Sequence, residues 1–184
     1  MKNFHRADLL FSLCGLNCAL CTMKLDGHCP GCGGGAGNQS CAIARCSIER
    51  GGVEYCYQCA AYPCERYEGI DAYDSFVTHR NQFKDMEKMQ RIGVEAYHAE
   101  LREKAEMLRH LLAEFNDGRR KSFYAVAVNL LELADCREAM EEVADKVSPE
   151  LSLQEKAAIA VGAFQKMGEK RGIVLKLNRK PSKK

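Results

Sequence analysis

The chain has 184 residues, 46% of them hydrophobic, enough for one ordinary domain or a small and a medium one, and too apolar for a disordered chain. Its 27 basic and 25 acidic side chains leave a net charge of +2, which excludes a global charge signal for nucleic acid or membrane. No apolar run approaches the length of a transmembrane helix.

At the amino terminus the apolar run is only Leu9 to Leu13. Asp8 precedes it directly, and Leu13 stands where signal cleavage requires a small residue. A cytoplasmic location is therefore expected. Stable disulfides are rare there, so clustered thiols are read as metal ligands in preference to a disulfide scaffold.

Ten of the eleven cysteines follow between Cys14 and Cys64. "CGLNCALC" holds Cys14, Cys18 and Cys21, and "CPGC" holds Cys29 and Cys32. "CAIARC" holds Cys41 and Cys46, "CYQC" holds Cys56 and Cys59, and "YPC" ends at Cys64. Two residues between thiolates let both reach one ion, and Pro30 and Gly31 supply the tight turn that this needs. The stretch is glycine-rich and lacks helical periodicity. It is expected to form an irregular module, too poor in apolar side chains to fold without a crosslink or metal.

Four thiolates complete one tetrahedral zinc. Ten thiols fill two sites with two to spare, or three sites with help from other donors such as His28 or His5. His28 reads better as a solvated loop residue. Spacing does not say which cysteines share an ion. Iron–sulfur clusters are also held by four cysteines and stand as the alternative cofactor. The C-x3-C-x2-C spacing at Cys14, Cys18 and Cys21 also occurs in radical-SAM enzymes, but those continue into an α/β barrel and this chain continues into helices. Cys136 stands apart, and is read as a small buried apolar residue.

"CGLNCALC", "CPGC", "CAIARCSIERGGVEYCYQC" and "AYPCERY" together resemble the signature of a prokaryotic cysteine-rich domain-of-unknown-function family. That signature runs C-G-L-x-C-x-x-C, C-x-G-C, C-x-I-x-x-C, C-x-x-C and P-C. The segments "DAYDSFVTH" and "NDGRRKSFYAVAVNLLEL" extend the resemblance to about residues 10–135. It implies zinc binding and no particular reaction. Asn38 stands where family members often carry a further cysteine.

Beyond Cys64 the pattern becomes helical. Phe76, Phe83, Met86 and Ile92 predict a helix over about 72–91. Val94, Tyr97, Leu101, Leu108, Leu111, Leu112 and Phe115 recur at three- and four-residue steps, and "NDG" from Asn116 ends that stripe. "FYAVAVNLLELA" is apolar nearly all round and predicts a buried helix. "DCREAMEEVADKV" predicts a shorter helix capped by Asp135, and "SLQE" a capping box that opens a helix closed by Gly172. "IVLKL" predicts a short strand, and "NRKPSKK" a loose tail. The expected fold is mainly α: a small irregular Cys-rich metal-binding module over residues 1–68, then a bundle of about five helices over 69–184.

Three weaker constellations remain. "GRRKSF" clusters Arg119, Arg120 and Lys121 at a helix start that could hold an anion, but a solvated helix end is the plainer reading. Asp71, Asp74, Ser75 and His79 would share one helix face, as hydrolytic groups or, more simply, as a capped helix start. The tail, with Lys176, Arg179, Lys180, Lys183 and Lys184, lacks the aromatic platform of a nucleic-acid site. The leading expectation is a structural zinc–thiolate protein acting as a binding or scaffolding module, without an assigned partner or catalytic residue. An iron–sulfur redox protein is the alternative. A second is an enzyme with its site between the module and the helices, using Arg119, Lys121, Asp74 or His79.

Overall fold

The computed structural model describes residues 3–35 and 41–181. The fold is mainly helical. Among the described residues the α-helices are α1 (Thr22–Leu25), α2 (Ala42–Glu49), α3 (Gln82–Ile92), α4 (Val94–Glu114), α5 (Lys121–Leu130), α6 (Leu133–Lys146) and α7 (Leu153–Arg171), and there is no strand. Single 3-10 turns sit at Cys18–Leu20, Cys56–Gln58 and Glu65–Tyr67. Among the described residues no helix is long and apolar enough to cross a membrane. The chain forms two compact units, one of Met1–Leu101 with Asn178–Lys184 and one of Arg102–Leu177.

The helix count is seven where about five were expected, because α1 and α2 form inside the cysteine-rich stretch. Helix α2 buries Ala44 and Ser47 three residues apart on one face. Ile43 beside them packs on a small cluster of Phe4, Leu13 and Ala44. Its apolar stripe is too short to register as periodicity.

The first unit buries Phe11, Leu13, Leu20, Met86, Met89 and Tyr97. The Phe11 and Tyr97 rings meet edge to face with centroids 5.1 Å apart. Helix α3 starts at Gln82, ten residues later than the apolar spacing predicts. The preceding residues are turned by Asp74 instead. Its Oδ1 accepts from the Thr78 hydroxyl (3.1 Å) and the His79 amide (2.8 Å), and its Oδ2 from the Asn178 amide (2.7 Å). Phe76, expected on the buried stripe, is 60% exposed.

In the second unit, α5 is buried continuously from Tyr124 to Leu130, and Leu108, Leu111 and Phe115 face inward as the spacing predicts. Helix α6 packs on α7, and small residues are buried on both, among them Ala139, Ala160 and Ala163. The predicted capping box of α7 forms: Ser152 accepts from the Glu155 amide while Glu155 accepts from the Ser152 amide. Gly172 ends the helix in the left-handed conformation.

Two expectations are corrected here. Helix α6 is entered from Glu132, and Asp135 lies inside its first turn rather than capping it. There Asp135 is buried and held by Arg171 at 2.7 and 3.0 Å. Residues 173–177 form no strand. The Ile173 amide bonds back to the Gly168 carbonyl (2.8 Å) and the Lys176 amide to Val174 (3.0 Å), so local turns use these donors.

Candidate metal centre

The cysteines are positioned by a buried polar scaffold in the first unit. Arg6 Nη1 donates to the carbonyls of Asp8 (3.1 Å), Phe11 (3.0 Å) and Cys32 (3.3 Å), and Nε to that of Glu54 (3.0 Å). One guanidinium thus ties three separate loops together. Asp8 is the second node. Its Oδ1 accepts the Leu10 and Phe11 amides (2.8 and 3.1 Å) and its Oδ2 the Tyr55 hydroxyl (2.9 Å). His98 Nε2 lies 3.0 Å from the same Oδ2.

Around Cys14 the chain is pinned from α3. Gln82 Nε2 lies 3.1 Å from the Cys14 carbonyl and 3.4 Å from its sulfur. Gly15 has φ +98°, and a Cβ there would come 2.7 Å from the Gln82 carbonyl oxygen, so only glycine lets the loop sit this close. The sequence marks Gly15 only as part of "CGLNC". Its contact partner lies 67 residues away.

A cleft of about 230 Å³ is lined by Cys14, Cys18, Cys21, Cys29, Cys32 and Cys41. Burial pushes the Cys14 thiol up to about 11, against hydrogen bonds from Ser12 and the Leu16 amide. Burial pushes Cys18 up to about 12, against the Cys32 amide. Cys21 and Cys32 are raised for the same reason, with peptide amides again opposing it. The predicted "CPGC" turn is present: Gly31 has φ +94° and its amide donates to the Cys29 sulfur at 3.4 Å.

A second cleft, of about 310 Å³, is lined by Cys46, Cys56, Cys59 and Cys64, with Arg50 and Arg66 on its wall. The Cys46 thiol is lowered by hydrogen bonds from Arg66 and Arg50. Burial pushes Cys56 up to about 12, with the Tyr67 hydroxyl opposing. Tyr67 lines this cleft, is 4% exposed, and its hydroxyl oxygen finds no nitrogen or oxygen partner. All eleven cysteines carry free thiols. Among the described residues no three His, Cys, Asp or Glu side chains converge closely enough to hold an ion as they stand.

The remaining sequence candidates fall apart into local structure. His28 and His5 are exposed and line neither cleft. Asp74 is buried in its turn, while Ser75 Oγ lies 3.0 Å from His79 Nε2 and His79 Nδ1 lies 3.0 Å from the Ile70 carbonyl. Asp71 is exposed, and no helix runs through 71–79. Arg120 pairs with Asp117 at 3.3 Å, and the Arg119 amide bonds to Asp117 Oδ1 in a turn ahead of α5, whose start carries no side-chain cap. Cys136 is fully buried in the second unit, its thiol raised to about 11 by burial. Asn38, Lys183 and Lys184 lie outside the described residues. Sequence reasoning missed Arg6, Asp8, Tyr55 and His98. These four are scattered over more than ninety residues, and no short motif links them.

No protein-family model, curated protein or solved structure matches the chain.

Proposed function

We propose that this chain is a zinc-binding protein in which metal–thiolate bonds hold residues 14–64 in shape, and that it serves as a binding or scaffolding module. One observation carries the reading: every one of the ten cysteines in this stretch lines one of two clefts. The donor chemistry fits. The sulfurs are soft donors, and several accept peptide N–H groups that favour a thiolate. Ligation requires the thiols to move inward, because no three of them converge as they stand. The resemblance of the cysteine spacing to the prokaryotic Cys-rich family supports the same reading.

Zinc, when bound, supplies crosslinks between segments that bury few apolar side chains. The chain's own residues supply the donors, the amides that steady them, and cations against the surplus negative charge. A closed site with four protein donors leaves no position for a substrate, which is why a structural role is preferred to catalysis.

Elemental analysis of freshly purified protein, prepared anaerobically, tests this directly. Zinc at two or more per chain is the expected result. Iron with matching labile sulfide would replace zinc by a cluster, and a metal-free protein with its fold intact would overturn the reading.

A further inference from the structure

Ten thiols along one stretch of chain can be grouped in many ways, and adjacency in sequence suggests the wrong one for Cys41 and Cys46. They belong to the same short helix, Cys41 at its N-cap and Cys46 within it. Five residues along an α-helix turn the side chain by about 140°. The two therefore leave α2 in different directions, Cys41 to the smaller cleft and Cys46 to the larger. Resting on the zinc reading above, we propose that the thiols form two separate metal centres. The first is built from Cys14, Cys18, Cys21, Cys29, Cys32 and Cys41. The second is built from Cys46, Cys56, Cys59 and Cys64, and α2 is the strut that joins them.

Three further observations support the division. The first is the backbone: the Cys21 amide donates to the Cys18 carbonyl (3.1 Å) and the Cys59 amide to the Cys56 carbonyl (3.0 Å), so each of these pairs is folded into one turn within its own group. In the second group, Arg50 shares its cleft with Cys46, Cys59 and Cys64.

The second is the supply of cations. A zinc with four thiolates carries a charge of −2 in the protein, which is costly beneath the surface unless cations stand beside it. Lys24 lines the first cleft and Arg6 donates to the Cys32 carbonyl at 3.3 Å, so the first group has two. Arg50 and Arg66 line the second cleft, so the second group has its own two.

The third is Tyr67. A buried hydroxyl without a nitrogen or oxygen partner is rare, because it forfeits a hydrogen bond. Tyr67 lines the second cleft together with Cys56, whose sulfur is the acceptor left to its hydroxyl. Cys56 itself lies between the groups: its amide donates to the Leu13 carbonyl (2.9 Å), and it packs with Cys32 against the cluster of Phe4, Leu13 and Ala44. It is assigned to the second because it lines that cleft, because Cys59 follows at the spacing that serves one ion, and because the second group has only three donors without it.

A stepwise chelator titration of the metal-loaded wild-type chain, with iodoacetamide trapping and peptide mass spectrometry, reads the grouping directly. The expected result is two sets of thiols that become reactive at different chelator concentrations, six in one set and four in the other, divided between Cys41 and Cys46. Release of all ten together, or any set that mixes the groups, overturns the division while leaving the zinc reading in place. A chain with no metal before chelation removes both. Native mass spectrometry of Cys→Ser variants gives an independent check. C18S with C32S should lose no more metal than the worse single variant, whereas C18S with C59S should lose the sum. Additive loss within a group, or no added loss across groups, counts against the proposal, and a retained helical circular-dichroism signal shows that each variant is folded.

Discussion

Residues 102–177 and residues 3–68 hide their interiors in opposite ways. In the first case the buried groups include Leu108, Leu111, Tyr124, Val128, Ala160, Phe164 and Met167, carried on α4, α5 and α7. In the second, apolar residues such as Phe4, Phe11, Leu13 and Leu20 share the interior with Arg6, Asp8, Ser12, Asn17 and Ser47, with thiols around two clefts. Apolar burial is non-directional and contributes roughly 25 cal/mol per Å². A buried polar network contributes little net free energy but fixes which loop lies against which. The helical unit can thus stand on packing, whereas on the zinc reading proposed above the cysteine-rich stretch is held by a crosslink.

The largest expected effect separates the two regions outright. Removing metal with a strong chelator should raise hydrogen exchange throughout residues 14–64 and leave the amides of α5, α6 and α7 protected. Equal loss of protection in both would show that the stretch and the helices do not differ in the way described. The reverse experiment is Phe164→Ala, which empties a fully buried site in α7. It should cost about 3–5 kcal/mol in the helical unit. The zinc content should remain unchanged, as judged by denaturant melts alongside elemental analysis.

Asp8→Asn probes the polar network. The substitution keeps the shape but removes the charge that Tyr55, His98 and two amides share. It should cost about 1.5–3 kcal/mol, since bonds to charged groups are the stronger ones. Because this network sets the Arg6 and Cys32 loops, zinc affinity should fall with it, whereas Phe164→Ala leaves affinity alone. A competition titration with a chromogenic chelator compares the two.

The smallest effect lies on the helical surface. Hydrogen bonds from Lys146 and Lys166 hold the Glu142 carboxyl down at about 2, against an ordinary value of 4.5. A carboxyl lowered by folding stabilises above its unfolded pKa and loses that contribution as pH falls through the folded value. Wild type should therefore melt slightly higher than Glu142→Gln at pH 6, and the gap should close between pH 4.5 and 2. Glu142 is half-buried but its partners Lys146 and Lys166 are exposed, so salt should shrink the difference.

Much of the helical unit was legible because its determinants are local. The stripe from Tyr97 to Phe115 and the Ser152–Glu155 box act within one or two turns of helix, and α4 and α7 form where they indicate. The segment 72–81 was misread for the converse reason. Asp74 takes its Oδ2 partner from Asn178, 104 residues away, and that bond helps turn a stretch whose apolar spacing alone reads as helix. Asp135 likewise has the residue type of a cap, but Arg171 on α7 holds it as a buried ion-pair partner.

For the cysteine-rich stretch the sequence by itself determined the donor set: ten thiols, their pairwise spacings, and the Pro30–Gly31 turn that lets Cys29 and Cys32 approach one place. Spacing states how close two donors can come and leaves open which others meet them. The tertiary structure decided which of them line the same cleft, through the twist of α2 between Cys41 and Cys46 and through Arg6 and Asp8 drawing distant loops together. Such contacts join residues separated by tens of positions, so no local pattern of side chains encodes them.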